Sequence, residues 1–384
     1  MTTAVQILTS EQVQALPSRA REVVEYRKSG LSLNHIQGCP RDCAYCIRHT
    51  YGLWDQRQPR ALLGDEEAVE QLVGHRYFTP HVTPLQLLNR ATDPFLPQVK
   101  PHTFAVVNDL DKRGLRNHLL IITRYRVTDS DCEQLAAIRH LRLTLLFTFS
   151  GIEDRRIEPY PSCVAAESLQ IASQYAPRRY RTVLYWRPLV PGLNDSPEHL
   201  AQAARLSRSA DATVFTGLFL REEIAAYYRA HDLPLPYDVT ARRKIMPQAA
   251  EQRVLGVFRQ HAGGPLFRKT SCAVSYAHGL PDYNGHVGIR ELCDICPLPQ
   301  LALCGNAHRV PTPAKLAAVT SALPELGELQ IMSITPRAMV VSGLSSEQPR
   351  YYLQHALGFQ VHDAAHPHRA GRHGRAEIGW EDQP

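Results

Sequence analysis

Three cysteines near the N-terminus are spaced so that they could hold a metal centre. Cys39, Cys43 and Cys46 stand in QGCPRDCAYCIRH, a C-x3-C-x2-C pattern that follows a predicted strand over residues 31–37. Three thiolates in one loop can converge on a single centre, and three protein ligands leave one iron of a four-iron cluster without a protein bond. An open coordination position is typical of a catalytic metal centre. A structural zinc site completed by His49 or His35 is the alternative interpretation.

A second group of four cysteines lies farther along the chain. Its members are Cys272, Cys293, Cys296 and Cys304, with the spacing C-x20-C-x2-C-x7-C. Four thiols suffice to close a metal site, whether the metal is an iron–sulfur cluster or zinc. In a second interpretation the last three cysteines hold the cluster, and Cys272 is a catalytic hydrogen donor. Polar residues between them are candidates for substrate contacts: Asp282, Tyr283, Asn284 and His286.

The elements that must position these cysteines alternate between short apolar runs and amphipathic segments. Strands are predicted over residues 31–37, 85–91, 119–125, 143–150, 182–187 and 212–219, and helices over residues 130–140, 161–174 and 197–208, with Asp131 and Ser196 as helix caps. Strands that alternate with helices at this spacing indicate a parallel sheet. Six such units predict an α/β fold with a partial (β/α)6 barrel rather than a closed barrel of eight units.

The pattern changes after residue 220. We expect a partial barrel over residues 1–220, a helical and Cys-rich extension over 221–310, and a small α+β module over 311–363 that contains a hairpin between two helices. Residues 364–384 contain few aliphatic side chains, so we expect a flexible tail. The two remaining cysteines, Cys132 and Cys163, fall in predicted helices and are expected to be buried thiols.

Composition limits the possible functions. The chain has 384 residues, 44% of them hydrophobic, and a formal net charge of +6, which is typical of a folded protein and permits an anionic substrate without indicating one. No run of apolar residues is long enough to span a membrane, and the first residues do not form a signal-peptide core. We therefore expect a cytoplasmic protein. In such a compartment, clustered thiols indicate metal binding before disulfides.

The first motif resembles the signature of the radical S-adenosylmethionine enzymes, with Tyr45 at the aromatic position between the last two cysteines. The resemblance implies that Cys39, Cys43 and Cys46 hold a [4Fe–4S] cluster whose free iron binds S-adenosylmethionine. It also implies an electron donor such as flavodoxin or ferredoxin, and a 5′-deoxyadenosyl radical that abstracts hydrogen from a substrate. Because such enzymes often carry an auxiliary cluster, the resemblance favours a second iron–sulfur cluster over zinc at the later cysteines.

Further segments are similar to the spore photoproduct lyase-like branch of this superfamily. These are TDPFLP at residues 92–97, polar residues at the ends of later strands, and RPLVPGLND at residues 187–195. The resemblance implies cofactor contacts from Tyr45, Thr92, Asp93, Thr123, Arg124, Ser150 and Arg187. The chain departs from the DNA-repairing lyase because it has no cysteine between Cys46 and Cys132.

Three functions follow from these patterns. The first is a radical enzyme that abstracts hydrogen from a small polar substrate, such as a sugar, a nucleoside or a biosynthetic intermediate, and thereby epimerises, dehydrogenates or rearranges it. The second is a lyase-like radical enzyme that acts on nucleic acid, although the basic residues lack the aromatic interleaving expected of a nucleic-acid surface. The third is a non-enzymatic iron–sulfur or zinc protein.

Overall fold

The computed structural model describes residues 5–321, 323, 326, 329–367 and 375–376. The strands are β1 (Gln6–Ile7), β2 (Val24–Arg27), β3 (Gly30–Leu33), β4 (Ile36–Gln37), β5 (Arg60–Ala61), β6 (Leu85–Leu87), β7 (His118–Thr123), β8 (Arg142–Phe149), β9 (Arg181–Leu189), β10 (Ala212–Gly217), β11 (Lys244–Ile245), β12 (Leu266–Phe267), β13 (Gln330–Ile334), β14 (Ala338–Ser342), β15 (Gln360–Asp363) and β16 (Arg375–Ala376).

The helices alternate with the strands in the first half of the chain and predominate later. They are α1 (Ser10–Gln14), α2 (Ser18–Arg21), α3 (Asp65–Val73), α4 (Lys100–Lys112), α5 (Asp129–Ala136), α6 (Ser162–Gln174), α7 (Pro197–Ser207), α8 (Glu222–Ala230), α9 (Gln248–Gln260), α10 (Thr270–Ala277), α11 (Arg290–Cys293), α12 (Leu298–Ala307), α13 (Pro313–Ser321) and α14 (Glu347–Leu357). Among the helices that the structure describes, none has the length and hydropathy of a bilayer-spanning segment.

The main sheet has eight strands in the order β12-β10-β9-β8-β7-β6-β3-β2. All neighbouring pairs are parallel except β2 and β3, which form an antiparallel hairpin at one edge. In the described part of the chain the two edge strands do not pair with each other, so the sheet stays open. The predicted α/β fold with six βα units and a partial barrel is therefore confirmed.

The central strands form because their residues are apolar on both faces. In β7 and β8 nearly every residue is buried, since helices cover one face and the opposite face lies inside the partial barrel. The predicted strand at residues 85–91 is shorter in the structure, because backbone pairing stops at Leu87. Polar residues therefore follow the strand in a loop, where their side chains can face a ligand.

Local capping fixes where two of the helices begin. Ser196 accepts a hydrogen bond from the backbone of His199 and caps α7, as predicted. The predicted cap at Asp131 is wrong. Thr128 caps α5, and Asp131 is the third residue of that helix, where its carboxylate accepts from the Thr128 backbone in a capping box.

The later segments pack onto the main sheet rather than away from it. Within residues 221–310, β12 pairs with β10 and extends the sheet. Within residues 311–363, the predicted hairpin is formed by β13 and β14, and β15 adds a parallel strand that the sequence analysis did not predict. The Tyr26 hydroxyl of β2 hydrogen-bonds His355 of α14 at 2.9 Å, which ties this module to the first hairpin. Most of the tail predicted over 364–384 lies outside the described residues; β16 pairs with β11.

The two remaining cysteines differ in their surroundings. Cys132 is buried in α5, as expected, and packs in the hydrophobic core. Cys163 is exposed at the start of α6, so the expectation of a buried thiol is wrong at that position. The error follows from helix phase, since Cys163 lies on the solvent side of α6 while Ala165 and Leu169 face the sheet.

Candidate active site

A cavity of about 960 Å³ lies at the carboxyl ends of the parallel strands. Residues that end or follow strands line it: Asp93 after β6, Arg124 after β7, Arg187 in β9 and Leu218 after β10. Its volume is near the upper end of the usual range for ligand pockets, which is roughly 300–1,000 Å³. In barrel enzymes this end of the sheet collects the ligands, because the loops after the strands converge there.

The three cysteines of the first motif open onto this cavity. Cys39, Cys43 and Cys46 lie in the loop between β4 and a 3-10 helix at Ile47–Tyr51, and all three line the cavity. Cys43 is buried, and the other two are partly exposed. In the described chain the three sulfur atoms do not all lie within 4.8 Å of one another. The wider spacing fits a multinuclear cluster better than a single ion.

A buried arginine shapes the loop that carries these cysteines, and the sequence analysis did not identify it. Arg48 donates to the carbonyl oxygens of Cys39 at 2.8 Å and Gln56 at 3.1 Å, and it also contacts that of Arg41. One guanidinium thus satisfies carbonyls from both sides of the loop. Gly38, with φ of 109°, lets the loop begin, since a Cβ there would lie 2.1 Å from the carbonyl oxygen of Gln58.

A buried ion pair lies directly beside Cys43. Arg124 donates to Glu158 at 2.7 Å, to the Cys43 sulfur at 3.3 Å and to the Tyr45 hydroxyl at 3.1 Å. The Cys43 thiol in turn donates to Glu158 at 3.4 Å. Burial raises the pKa of Cys43 well above its usual value, although Arg124 opposes this. Without a metal ion this thiol is therefore protonated at neutral pH, and a bound metal would have to displace its proton.

Asp93 joins the ends of two strands. Its carboxylate accepts hydrogen bonds from the Thr123 hydroxyl at 2.6 Å, the Phe95 backbone at 2.9 Å and the Arg124 backbone at 3.0 Å. Burial raises the pKa of Asp93, and these hydrogen bonds oppose the rise. Thr92 beside it differs, because its buried hydroxyl oxygen has no hydrogen-bond partner among the described residues. A buried hydroxyl without a partner is costly unless a ligand supplies one.

Five of the seven predicted cofactor-binding residues line the cavity: Tyr45, Thr92, Asp93, Arg124 and Arg187. Thr123 and Ser150 do not. Thr123 supports Asp93, as described above. The Ser150 hydroxyl hydrogen-bonds that of Ser162 at 2.9 Å and accepts from the Ile152 backbone at 3.1 Å, so it fixes the end of β8.

The second group of cysteines lies away from the cavity, as far as the structure describes it. Cys272 is in α10, Cys293 ends α11, and Cys304 is in α12. The Cys304 sulfur accepts from Gln300 at 3.2 Å and from the Asp282 backbone at 3.4 Å. Cys272 and Cys296 pack against the same buried cluster. Three helices and the loop between the last two therefore bring the four thiols into one region, in which Cys304 is buried and the other three are partly exposed.

A tight group of possible metal ligands is formed by Cys272, Asp282 and His286, whose ligand atoms lie within 4.8 Å of one another. The His286 ring hydrogen-bonds the Asp282 carboxylate at 2.9 Å. Burial raises the pKa of Asp282, but His286 outweighs it and holds that pKa below its usual range. The sequence analysis proposed Asp282 and His286 as substrate contacts, and the structure places both at the second cysteine group instead.

The remaining members of that loop contact other parts of the fold. Asn284 accepts from Gln354 at 2.9 Å and also contacts His355, both in α14. Tyr283 is packed in the same cluster as Cys272. None of the four proposed contacts, Asp282, Tyr283, Asn284 and His286, lines the cavity in the described structure.

Sequence comparisons give no relative: no protein-family model matches the chain, and no curated protein does. Solved structures are similar in part. Spore photoproduct lyase complexed with dinucleoside spore photoproduct is 14% identical with a TM-score of 0.46, and the match covers 63% of this chain and 78% of that one. A double mutant of the lyase with bound AdoMet gives 12%, a TM-score of 0.47, and 69% and 86% coverage.

SuiB of Streptococcus suis bound to precursor peptide SuiA is a third similar structure. It is 10% identical with a TM-score of 0.42, and the match covers 65% of this chain and 50% of SuiB.

Proposed function

We propose that this chain is a radical S-adenosylmethionine enzyme that abstracts hydrogen from a small polar substrate. One observation carries the proposal: the three-cysteine loop opens onto the same cavity as Thr92, Asp93, Arg124 and Arg187. These residues come from separate strand ends, and each lies in a segment whose sequence predicts contact with the cofactor. A structural zinc knuckle would require neither a cavity nor convergence of polar residues upon it.

The donor set fits a cluster with an open iron. Cys39, Cys43 and Cys46 would hold it, and Arg48 keeps the loop in shape through the carbonyl oxygens on both sides of the cysteines. When bound and reduced, such a cluster supplies the electron that splits S-adenosylmethionine into methionine and a 5′-deoxyadenosyl radical. The Arg124–Glu158 pair would orient Cys43 and Tyr45 beside it, because both side chains hydrogen-bond that pair.

The cavity also fits S-adenosylmethionine. The unpartnered Thr92 hydroxyl lines the cavity and can hydrogen-bond a polar group of the cofactor. Asp93 does so less readily, since its oxygens already accept three hydrogen bonds. We therefore assign Thr92 and Tyr45 to cofactor contact, while Asp93, Thr123 and Ser150 position the strand ends.

At the second group, Cys272, Cys293, Cys296 and Cys304 would hold an auxiliary iron–sulfur cluster. Four thiols are enough to bind all the metal positions that need a protein ligand, and none of them lines the cavity in the described structure, which supports a closed site. Zinc is the alternative, and the compact group of Cys272, Asp282 and His286 is of the size that a single ion requires. Tyr185 lines the cavity and packs in the same buried cluster as Cys272, so the two sites adjoin through it.

Cleavage of the cofactor tests the proposal directly. Anaerobically reconstituted protein, reduced with dithionite, is expected to convert S-adenosylmethionine to 5′-deoxyadenosine and methionine. Cys43→Ala should abolish the conversion, because a cluster with two remaining ligands is not retained. Cys163→Ala is the matched control, since that thiol is exposed and remote in sequence from both motifs. Equal conversion by Cys43→Ala and the wild type would refute the assignment.

Nucleic acid is a second candidate substrate, and the surplus of basic residues in the cavity favours it over an uncharged sugar. A surplus of basic residues suits both a polyanionic polymer and a small anionic substrate, so the surplus alone does not distinguish these two substrate classes. That distinction depends on how the charges are arranged.

A further inference from the structure

The cavity is far more basic than the chain as a whole. Thirteen arginine and lysine side chains line it, against four carboxylates. The full sequence has 43 basic and 37 acidic residues. The surplus is therefore concentrated at the cavity, where low-dielectric walls strengthen its field.

Several of these cations have structural partners. Arg48 and Arg90 are buried and donate to backbone carbonyl oxygens. Arg124 pairs with Glu158, and Arg41 lies over the Tyr160 ring at 4.8 Å. These four arginines make contacts within the wall of the cavity. The remaining basic residues that line the cavity need a separate explanation.

Five other cations form what we call the convergent cluster: Lys28, Arg187, Arg243, Lys244 and Arg350, all of which line the cavity. Of these, Arg350 also pairs with Glu347 at 2.7 Å and donates to the carbonyl oxygen of Val361 at 3.1 Å. The five cations come from four distant parts of the chain. Lys28 is in the turn between β2 and β3, Arg187 is in β9, Arg243 and Lys244 are at β11, and Arg350 is in α14. A charged run on one helix would face solvent, whereas only the fold brings these five together.

The positive charge of the cluster shifts the pKa values of two groups, its own member Lys28 and the neighbouring Tyr185. Burial lowers the pKa of Lys28, and Arg350, Arg243 and Lys244 lower it further, to about 8. Burial raises the pKa of Tyr185, but Arg187 and Lys244 outweigh it and bring the value to about 7. Arg187 lies 4.4 Å from the centre of the Tyr185 ring, and Thr270 hydrogen-bonds its hydroxyl at 3.4 Å.

We propose that the convergent cluster binds the phosphoryl group of a small substrate and so places that substrate in the cavity that the first three cysteines share. This inference rests on the proposed function and specifies its substrate class. Guanidinium groups bind phosphate oxygens in pairs, and ammonium groups add point charges. A phosphoryl dianion offers three oxygens, which suits donors that approach from several directions.

The arrangement favours a small molecule over a polymer. Arg187 and Lys244, from β9 and β11, approach the same ring, at 4.4 and 5.9 Å from the centre of Tyr185, so cations from separate strands gather around one place. A groove for single-stranded nucleic acid instead distributes its cations along the backbone path. A single phosphoryl group needs only cations gathered around one place.

Calorimetric titration with pyrophosphate, at ionic strength held constant with sodium chloride, tests the inference on the reconstituted protein. The wild type should bind, and Lys28→Gln and Lys244→Gln should each weaken binding about tenfold, because each removes one charged hydrogen-bond donor. Lys112→Gln is the matched control, since it makes the same change on the exposed face of α4 and should bind as the wild type does. If either cluster variant loses its fold, as seen by circular dichroism, the other is used alone.

Unchanged binding in both cluster variants, or no binding by the wild type, would overturn the inference. Two further probes distinguish other ligand classes. Tighter binding of citrate than of pyrophosphate would show that the site prefers carboxylate to phosphate. Tighter binding of a ten-nucleotide single strand would show that it binds nucleic acid rather than a small molecule. Cleavage of S-adenosylmethionine by the wild type is measured separately, so failure of the proposed function and failure of the phosphoryl site give different results.

Discussion

The first three cysteines line a cavity of about 960 Å³, whereas in the described structure none of the later four lines it. The two groups also differ in what surrounds the sulfur atoms. Cys43 lies against the Arg124–Glu158 pair, and its loop is shaped by Arg48. Cys304 instead accepts from an amide side chain and a backbone amide. The same ligand type thus occurs once in the lining of the cavity and once outside that lining.

This difference indicates which site can exchange ligands. A metal centre beside a cavity can bind a small molecule at a free coordination position, while an enclosed centre with four protein ligands is limited to structural or electron-transfer roles. The spacing of the cysteines alone does not establish this, because both groups contain a C-x2-C pair. The environment of each group therefore distinguishes them, and substitutions can test the distinction.

The largest effect is expected from removing the first group entirely. A triple substitution of Cys39, Cys43 and Cys46 by alanine should abolish cleavage of S-adenosylmethionine and leave about four iron atoms per chain, held by the other four thiols. Iron and zinc would be measured by plasma emission spectroscopy, and activity by chromatography of 5′-deoxyadenosine. One zinc and no iron in this variant would establish a structural zinc site at the second group.

Cys272→Ala tests the enclosed group. As a ligand, Cys272 is expected to be indispensable, so its loss should reduce iron by about four atoms per chain while the first cluster stays. Burial beside Asp282 and the other three thiols raises the pKa of Cys272 well above its usual value, so only a metal would make it a thiolate. Cys163→Ala, at an exposed position, should keep all its iron.

The opposite result would identify a hydrogen donor. Full iron in Cys272→Ala, with 5′-deoxyadenosine still formed and no solvent deuterium in the product, would contradict the ligand role. Because the structure places Cys272 outside the cavity lining, we expect iron loss instead.

Glu158→Gln tests the Arg124–Glu158 ion pair beside the first group. The substitution leaves the Arg124 guanidinium buried without its countercharge, which costs about 3–5 kcal/mol in the free energy of unfolding. Chemical denaturation would measure this. The matched control is Glu153→Gln in the same loop, where the side chain is 89% exposed and its partner His199 lies 3.7 Å away, so the change should be under about 0.5 kcal/mol. Equal costs for the two variants would show that the pair does not stabilise the site.

The sequence predicted the parts of this molecule that depend on local pattern. Apolar runs gave β7 to β10, and the cysteine spacing identified both candidate metal sites. Residues whose role depends on partners far away in the sequence were not predicted. Glu158 follows no motif, and its importance arises because β7 brings Arg124 beside it. Lys28, Lys244 and Arg350 are separated by more than a hundred residues each, so only the tertiary fold shows that they converge.

For the polar loop at residues 282–286, by contrast, the sequence suggested a functional role that its hydrogen bonds do not support. Turn-forming polar residues near cysteines suggested substrate contact, but Asn284 hydrogen-bonds α14 and His286 hydrogen-bonds Asp282. Composition cannot separate a loop that faces a ligand from one that joins two parts of the fold, because both need polar groups. Thr92 and Asp93 are adjacent polar residues of one motif, and their sequence likewise does not show which of them faces a ligand and which joins two parts of the fold.

The smallest expected effect separates these two neighbours. Thr92→Val keeps the shape of the side chain and removes a hydroxyl that has no partner in the described structure, so stability should change little. If that hydroxyl contacts S-adenosylmethionine, the substitution removes one hydrogen bond, which corresponds to about 1 kcal/mol or roughly a fivefold weaker affinity. Equilibrium dialysis of the reconstituted protein would measure the affinity, and thermal melting the stability. Asp93→Asn should lower the melting temperature instead, because the amide nitrogen replaces one of the two accepting oxygens, so either the Thr123 hydroxyl or the Arg124 backbone loses its acceptor. Thr240→Val, at an exposed position, controls for loss of a hydroxyl. Lost stability in Thr92→Val with unchanged affinity would assign both residues to the scaffold of the strand end.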